Sequence, residues 1–209
     1  MAKIQVEFGA IAQTARHGVV LVDENSQKIC TPLMVDVPPM ASNPHLELAA
    51  GLIWAPAEVK EFHFRGKVSE SVVRHWEKAL GVVIECEEGS DTYQRNGYTD
   101  LSVTAQNRIQ ETTPGRDETL IYLLPSERFY GSMRGVKEVL MATNSWLFGE
   151  DRGAAAEIAL GTVFADDLMA RSIKTEREMS PEFAERIESI LEPLSIDLRV
   201  GVRSEEHTS

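Results

Sequence analysis

The chain has 209 residues and a formal net charge of -12, with 43% hydrophobic and 26% charged residues. A chain of this length buries a substantial core without disulfides or a structural metal, and one domain is predicted. The acidic balance repels phosphate backbones and argues against non-specific nucleic-acid binding, while the interspersing of Asp and Glu with apolar residues argues against a disordered acidic tail.

Cys30 and Cys86 lie in apolar segments without metal-ligand spacing and read as small buried hydrophobes. No apolar run reaches the length of a membrane span. The N-terminus reads as a strand and not as a secretion signal, so the expected location is cytoplasmic. Arg203–Ser209 back-translates to a string that resembles a short-read sequencing adapter. This tail is expected to be foreign, which leaves residues 1–202 as a single α/β domain and keeps His207 out of any site argument.

In chain order, Ile4, Val6 and Phe8 alternate with Gln5 and Glu7 and predict a half-buried strand. Gly18–Val22 and Lys28–Val37 predict two more, with turn residues from Asp23 to Ser26 between them. These three form an antiparallel meander that Pro38-Pro39 ends. A helix capped by Asn43 or Ser42 follows, with Pro44 in its first turn and Leu46, Ala49, Ala50 and Ile53 on its buried face. Val59–Phe64, a helix capped by Ser69 and stopped by Gly81, and Val82–Cys86 make a parallel β-α-β unit. Residues 87–118 are poor in large apolar residues and read as an insertion or lid, with a short helix around Asp100–Gln110. Thr119–Leu124 predicts a sixth strand.

Residues 134–194 read as a helical part. Val136, Val139, Leu140, Thr143 and Leu147 recur at helical spacing. A helix capped by Asp151 carries Ile158, Ala159, Val163, Leu168, Met169 and Ile173 and is apolar over much of its circumference. Ser180-Pro181 starts a third helix, and Ile196–Val202 predicts a last strand. The fold class is therefore α/β: a mixed sheet with an antiparallel meander and a β-α-β unit, plus C-terminal helices. No internal repeat is visible.

The order meander, helix, strand, helix, strand resembles that of ribonuclease H-like proteins over residues 1–86, and Ala41-Ser42-Asn43-Pro44-His45-Leu46-Glu47-Leu48-Ala49-Ala50 resembles the start of that family's first helix. The resemblance implies a metal-binding catalytic role for Glu47. The family places an aspartate on the first strand, where the nearest acid here is Glu7, so Glu7 and Glu47 are the metal candidates it implies. It places another at the end of the fourth strand, where Phe64-Arg65-Gly66 stands instead. Two-metal hydrolysis needs several convergent carboxylates, and a positive charge at that corner opposes it.

Other candidates come from the residues alone. Asp166-Asp167 interrupts the most apolar helix; an ion pair from Asp167 to Arg171 competes with a carboxylate pair, Glu157 and Asp166, facing a pocket for acid–base chemistry. Ser126–Gly135 is a glycine-bearing loop predicted to run from a strand into a helix, able to present the Gly131 and Ser132 backbone to an anion with help from Arg128 and Arg134. Tyr93, Arg95 and Tyr98 read either as a lid over such a site or as solvent-exposed loop residues. His63, between Phe62 and Phe64, is either a partly buried histidine or a base on a sheet face.

Two functions follow. One is a binding or self-assembling domain with a degenerate ribonuclease H-like core, in which the apolar helix needs a partner and a homo-oligomer is one answer. The other is an enzyme acting on a small phosphorylated or carboxylated metabolite, with Glu47 and Asp166 as catalytic groups. A metal-dependent nuclease is a third reading. The motifs name no cofactor.

Overall fold

A computed structural model describes residues 3–10, 16–23, 25, 27–36, 43–89, 96–106 and 113–200. The expectations for Pro38-Pro39, Ser42, Tyr93, Arg95 and the Arg203–Ser209 tail lie outside these residues.

The meander forms as predicted. β1 (Ile4–Ala10) pairs antiparallel with β2 (His17–Val22), and β2 with β3 (Leu33–Val35). β3 is shorter than the predicted Lys28–Val37. Pro32 lacks an N–H, and the Asn144 side chain takes the Met34 N–H (2.7 Å) and the Pro32 carbonyl (2.9 Å) in place of a longer ladder. α1 (Pro44–Trp54) is capped by Asn43, whose side chain accepts from the His45 N–H. β4 (Glu61–Val68), α2 (Glu70–Leu80) and β5 (Val83–Glu88) make the parallel β-α-β unit, with β4 also parallel to β1. Gly81 ends α2 at φ 63°, in the left-handed region where glycine pays no Cβ penalty.

The second half departs from the prediction in three places. Thr99–Ala105, inside the supposed insertion, is a central strand, β6. Its period-two burial, with Leu101 and Val103 in the core, outweighs its modest hydrophobicity. Glu118–Pro125 is β7. The expected helix from Val136 to Leu147 is strand as well: β8 (Ser132–Arg134), β9 (Glu138–Thr143) and one 3-10 turn (Ser145–Leu147). Val139–Thr143 is buried without a break, and such a run has no period to separate strand from helix. Finally, the long apolar helix stops early. α3 (Glu150–Val163) gives way to turns, and β10 (Ala170–Thr175) begins after Met169, whose φ of 50° reverses the chain. α4 (Pro181–Leu191) and β11 (Asp197–Val200) complete the chain.

All strands join one mixed sheet in the order β11-β10-β6-β7-β9-β3-β2-β1-β4-β5, with β8 paired to β9. The four helices of the described residues share one face. Ile121 and Leu123 of β7 point into the helix-covered core, while Leu120, Tyr122 and Leu124 form a separate small cluster with Leu140 on the other face. α1 packs on β1, β2, β4 and α3; α3 packs on β6 and β10. The Trp76 indole of α2 donates to the Ile190 carbonyl of α4 (2.8 Å). Asp100 on β6 accepts from Arg171 Nε and Nη2 (2.9 Å each) and Ser172 Oγ (2.6 Å) and pairs with Arg199 (3.3 Å), which ties β6, β10 and β11.

This order has an approximate two-fold repeat that is not visible in the sequence. Reading outward from the β3–β9 seam, the first half runs β3-β2-β1-β4-β5 and the second runs β9-β7-β6-β10-β11. In chain order, a helix leads from β3 to β4 (α1) and from β9 to β10 (α3), and another leads on to β5 (α2) and to β11 (α4). The seam is antiparallel at Val35–Thr143, as a two-fold axis requires. One strand breaks the match: β2 is antiparallel to β1, whereas β7 is parallel to β6.

Candidate functional site

Glu7, Glu47 and Arg65 meet in one cleft of about 480 Å³. Alternation along β1 buries Val6 and leaves Glu7 facing out beside β4, where Val6 pairs with Phe64. α1 brings its first turn to the same place because Gly51 lets it settle onto β1: a Cβ there would lie 2.3 Å from Val6 Cγ1. Gly66 does likewise at the rim, where a Cβ would meet the Phe64 ring and Pro44. Glu47 lies one turn before Gly51 and so overlooks the C-terminal ends of β1 and β4. Between these strands the connections leave in opposite directions, to β2 and to β5. Such a switch point opens a crevice at the strand ends and is the usual ligand position in α/β sheets.

The cleft thus carries two carboxylates and one guanidinium. Among the described residues no group of three or more His, Cys, Asp or Glu side chains is placed to hold a metal ion. Arg65 places a positive charge in the same lining as the two carboxylates, which opposes cation binding there.

His45, next to the cleft, is buried, and its Nε2 accepts the Ser69 N–H (3.0 Å). Accepting at Nε2 requires that nitrogen to be unprotonated. Burial pushes the imidazole pKa below its ordinary range, against the opposing pull of Asp166. A depressed folded pKa contributes stability above the unfolded value of about 6.5 and loses it as pH falls through the folded value. The urea midpoint is therefore expected to drop between about pH 7.5 and about pH 5.5, and to drop less in His45→Gln. An equal drop in both proteins would remove His45 as the cause.

The remaining candidates do not converge. Asp166 receives the Asn43 carboxamide beside the α1 N-terminus. Asp167 pairs with Arg134, and Arg171 with Asp100, in place of the expected helical pair between them. Glu157 is separate from both aspartates and is paired elsewhere. The Ser126–Gly135 loop opens β8 and not a helix. The Gly131 N–H does bind a carboxylate, but the chain's own: Asp36 accepts it at 2.6 Å and also pairs with Arg16 (3.1 Å). Arg128 and Ser132 are exposed, and Arg134 is committed to Asp167. His63 lies 3.8 Å from Glu85 on the open sheet face.

In the second half the position corresponding to the cleft wall is closed by charge. Gly161 of α3 sits over Val103 of β6 as Gly51 of α1 sits over Val6 of β1, and Glu157 precedes Gly161 by the four residues that separate Glu47 from Gly51. Glu157 is 1% exposed and receives Thr175 Oγ1 (2.5 Å) and Arg177 Nε (2.5 Å). Burial pushes its carboxyl pKa up against the pull of both partners. The sequence singles out Glu157 but not Arg177, because the pair spans a helix and the end of a strand. Searches for a matching protein family, curated protein or solved structure give no match.

Proposed function

We propose that this chain is a binding domain with a degenerate ribonuclease H-like core, which takes a small charged ligand in the Glu7–Glu47–Arg65 cleft. The observation that carries the reading is the shared cleft: the glutamate of the family-like string joins the first-strand acid, with Arg65 opposite. Further support comes from the chain order meander, helix, strand, helix, strand. A guanidinium at the third corner favours binding over two-metal hydrolysis, because it repels the cations that phosphodiester cleavage recruits. The ligand that complements the cleft has a cationic or donor-rich end for the glutamates and an anionic end for Arg65. Self-assembly has less support. The apolar surface of α3 is covered by α1, β6 and β10 within one chain, and Gly153–Val163 is buried throughout.

The test is ligand-observed NMR with a panel of amino acids, diamines and guanidino acids, on wild type, Glu47→Gln and Arg65→Ala. Hits on wild type are expected to lose about tenfold or more in affinity in either variant, the cost of one charge-assisted hydrogen bond. Mg²⁺- or Mn²⁺-dependent cleavage of single-stranded RNA or an RNA–DNA hybrid, abolished by Glu47→Gln, would overturn the reading. So would hits indifferent to both substitutions. Arg65→Asp supplies the missing acid and is expected to introduce Mn²⁺ binding detectable by calorimetry.

A further inference from the structure

The internal repeat places a second pocket opposite the first. With Gly51 over Val6 matched to Gly161 over Val103, the strand registers pair Gln5 with Ser102, Glu7 with Thr104, His63 with Lys174 and Arg65 with Glu176. Ser102, Thr104, Lys174 and Glu176 all line one cavity of about 180 Å³ on the open sheet face, between β10, β6 and β7. β7 adds Tyr122, which occupies the place Val20 of β2 takes in the first cleft: Tyr122 pairs with Thr104 as Val20 pairs with Glu7. The strand positions correspond and the chemistry is inverted, with a carboxylate where the first cleft has Arg65; the helix wall differs, since Glu47 lines the first cleft and no α3 residue lines the second.

Two lining atoms stand out. The Tyr122 hydroxyl and Gln106 Oε1 are both buried and have no hydrogen-bond partner among the described residues. Tyr122 is 3% exposed, and its ring is fixed by Leu120, Leu124 and Leu140. A buried hydroxyl without a partner is costly, and most such groups in folded proteins find one. Glu118, by contrast, is satisfied: it takes Ser102 Oγ (2.5 Å) and the Gly115 N–H (2.9 Å) and stiffens the rim.

We propose that this pocket binds a small zwitterion of the amino-acid type, its carboxylate on Lys174 and the Tyr122 hydroxyl and its ammonium on Gln106 Oε1 and Glu176. Lys174 on β10 is the cation among the lining residues, with Glu118 near it and Glu176 two residues further along the same strand direction. The volume equals about six waters at ~30 Å³ each, room for an amino acid with a small side chain. The proposal is independent of the first cleft, since it rests on second-half residues alone.

The test is calorimetry and thermal melting of the full chain with L-alanine, and with propionate and propylamine as probes that each keep one end. L-alanine is expected to bind and to raise Tm, with either single-ended probe weaker by about tenfold or more. Tyr122→Phe and Lys174→Met are each expected to weaken alanine by about tenfold, while Arg74→Ala on the outer helix leaves it unchanged. Tyr122→Phe keeps the ring in its cluster and removes the unpartnered hydroxyl, so its ligand-free Tm is expected to match or exceed wild type. Lys174 is exposed, so Lys174→Met provides a folded variant in any case. No heat or Tm shift with alanine at about 10 mM would overturn the proposal. Propionate binding as tightly as alanine, or alanine binding indifferent to both substitutions, would overturn it as well.

Discussion

Arg177→Met is expected to cost about 3–5 kcal/mol of folding stability at neutral pH, the penalty for leaving one partner of a buried ion pair uncompensated. Glu157 sits on α3 at the centre of the helix layer, and Arg177 reaches it past Gly153, where even a Cβ would lie 2.3 Å from Arg177 Nη1. Without the guanidinium, the Thr175 hydroxyl and the Ala105 backbone remain to hold the charge. For a protein of this size the loss corresponds to a fall in Tm of roughly 6–20 °C. The pH dependence identifies the cause. Burial already raises the Glu157 carboxyl pKa, and losing Arg177 raises it further. A raised folded pKa contributes stability that is fully present below the unfolded value and is lost as pH rises through the folded one. The deficit of Arg177→Met against wild type should therefore shrink as pH falls toward about 4.5. Adding Glu157→Gln should restore most of the loss at neutral pH. A deficit under about 1 kcal/mol in urea melts, the range of an exposed pair, would sink the argument.

Gly51→Ala is expected to cost about 1–3 kcal/mol through overpacking, and to open the first cleft. The added methyl meets the Val6 side chain, with 2.3 Å to Cγ1 and 3.2 Å to Cγ2. Both carbons belong to a β-branched residue held in the sheet, which has little freedom to turn aside. α1 must lift from β1, carrying Glu47 away from Glu7. Gly161→Ala is the internal control, because its Cβ would lie 3.0 Å from Val103 and 3.1 Å from Ile173, a contact that small shifts relieve. It should cost less and leave the first cleft unchanged. Val6→Ala combined with Gly51→Ala should recover part of the stability; a double variant no better than Gly51→Ala would show that the clash is not with Val6.

The residues through Cys86 were legible because each element there carries its own local signal. Ile4-Gln5-Val6-Glu7 alternates, Asn43-Pro44 caps a helix, and Gly81 ends one. Glu7, Glu47 and Arg65 could be named from the chain, although only folding puts them in one cleft. The sequence by itself determined the mixed α/β class, the meander, the β-α-β unit and the acids and arginine of the first cleft, since local periodicity and caps act over a few residues. In the second half β7, the start of α3, α4 and β11 carried local signals as well, whereas tertiary structure alone decided β6, β8, β9 and the early end of α3. β9 is an unbroken apolar run whose type depends on β7 and β3 flanking it, and β6 is polar enough to pass for a loop until β10 and β7 enclose it. It also decided that the Gly131 N–H goes to Asp36, Arg134 to Asp167 and Glu157 to Arg177, because those partners are far apart in the chain and meet only when the sheet assembles. The approximate repeat is equally a property of the assembled sheet. The halves share strand order and the close helix–strand approach at Gly51 and Gly161, while the side chains around them differ, so no repeat is visible along the chain.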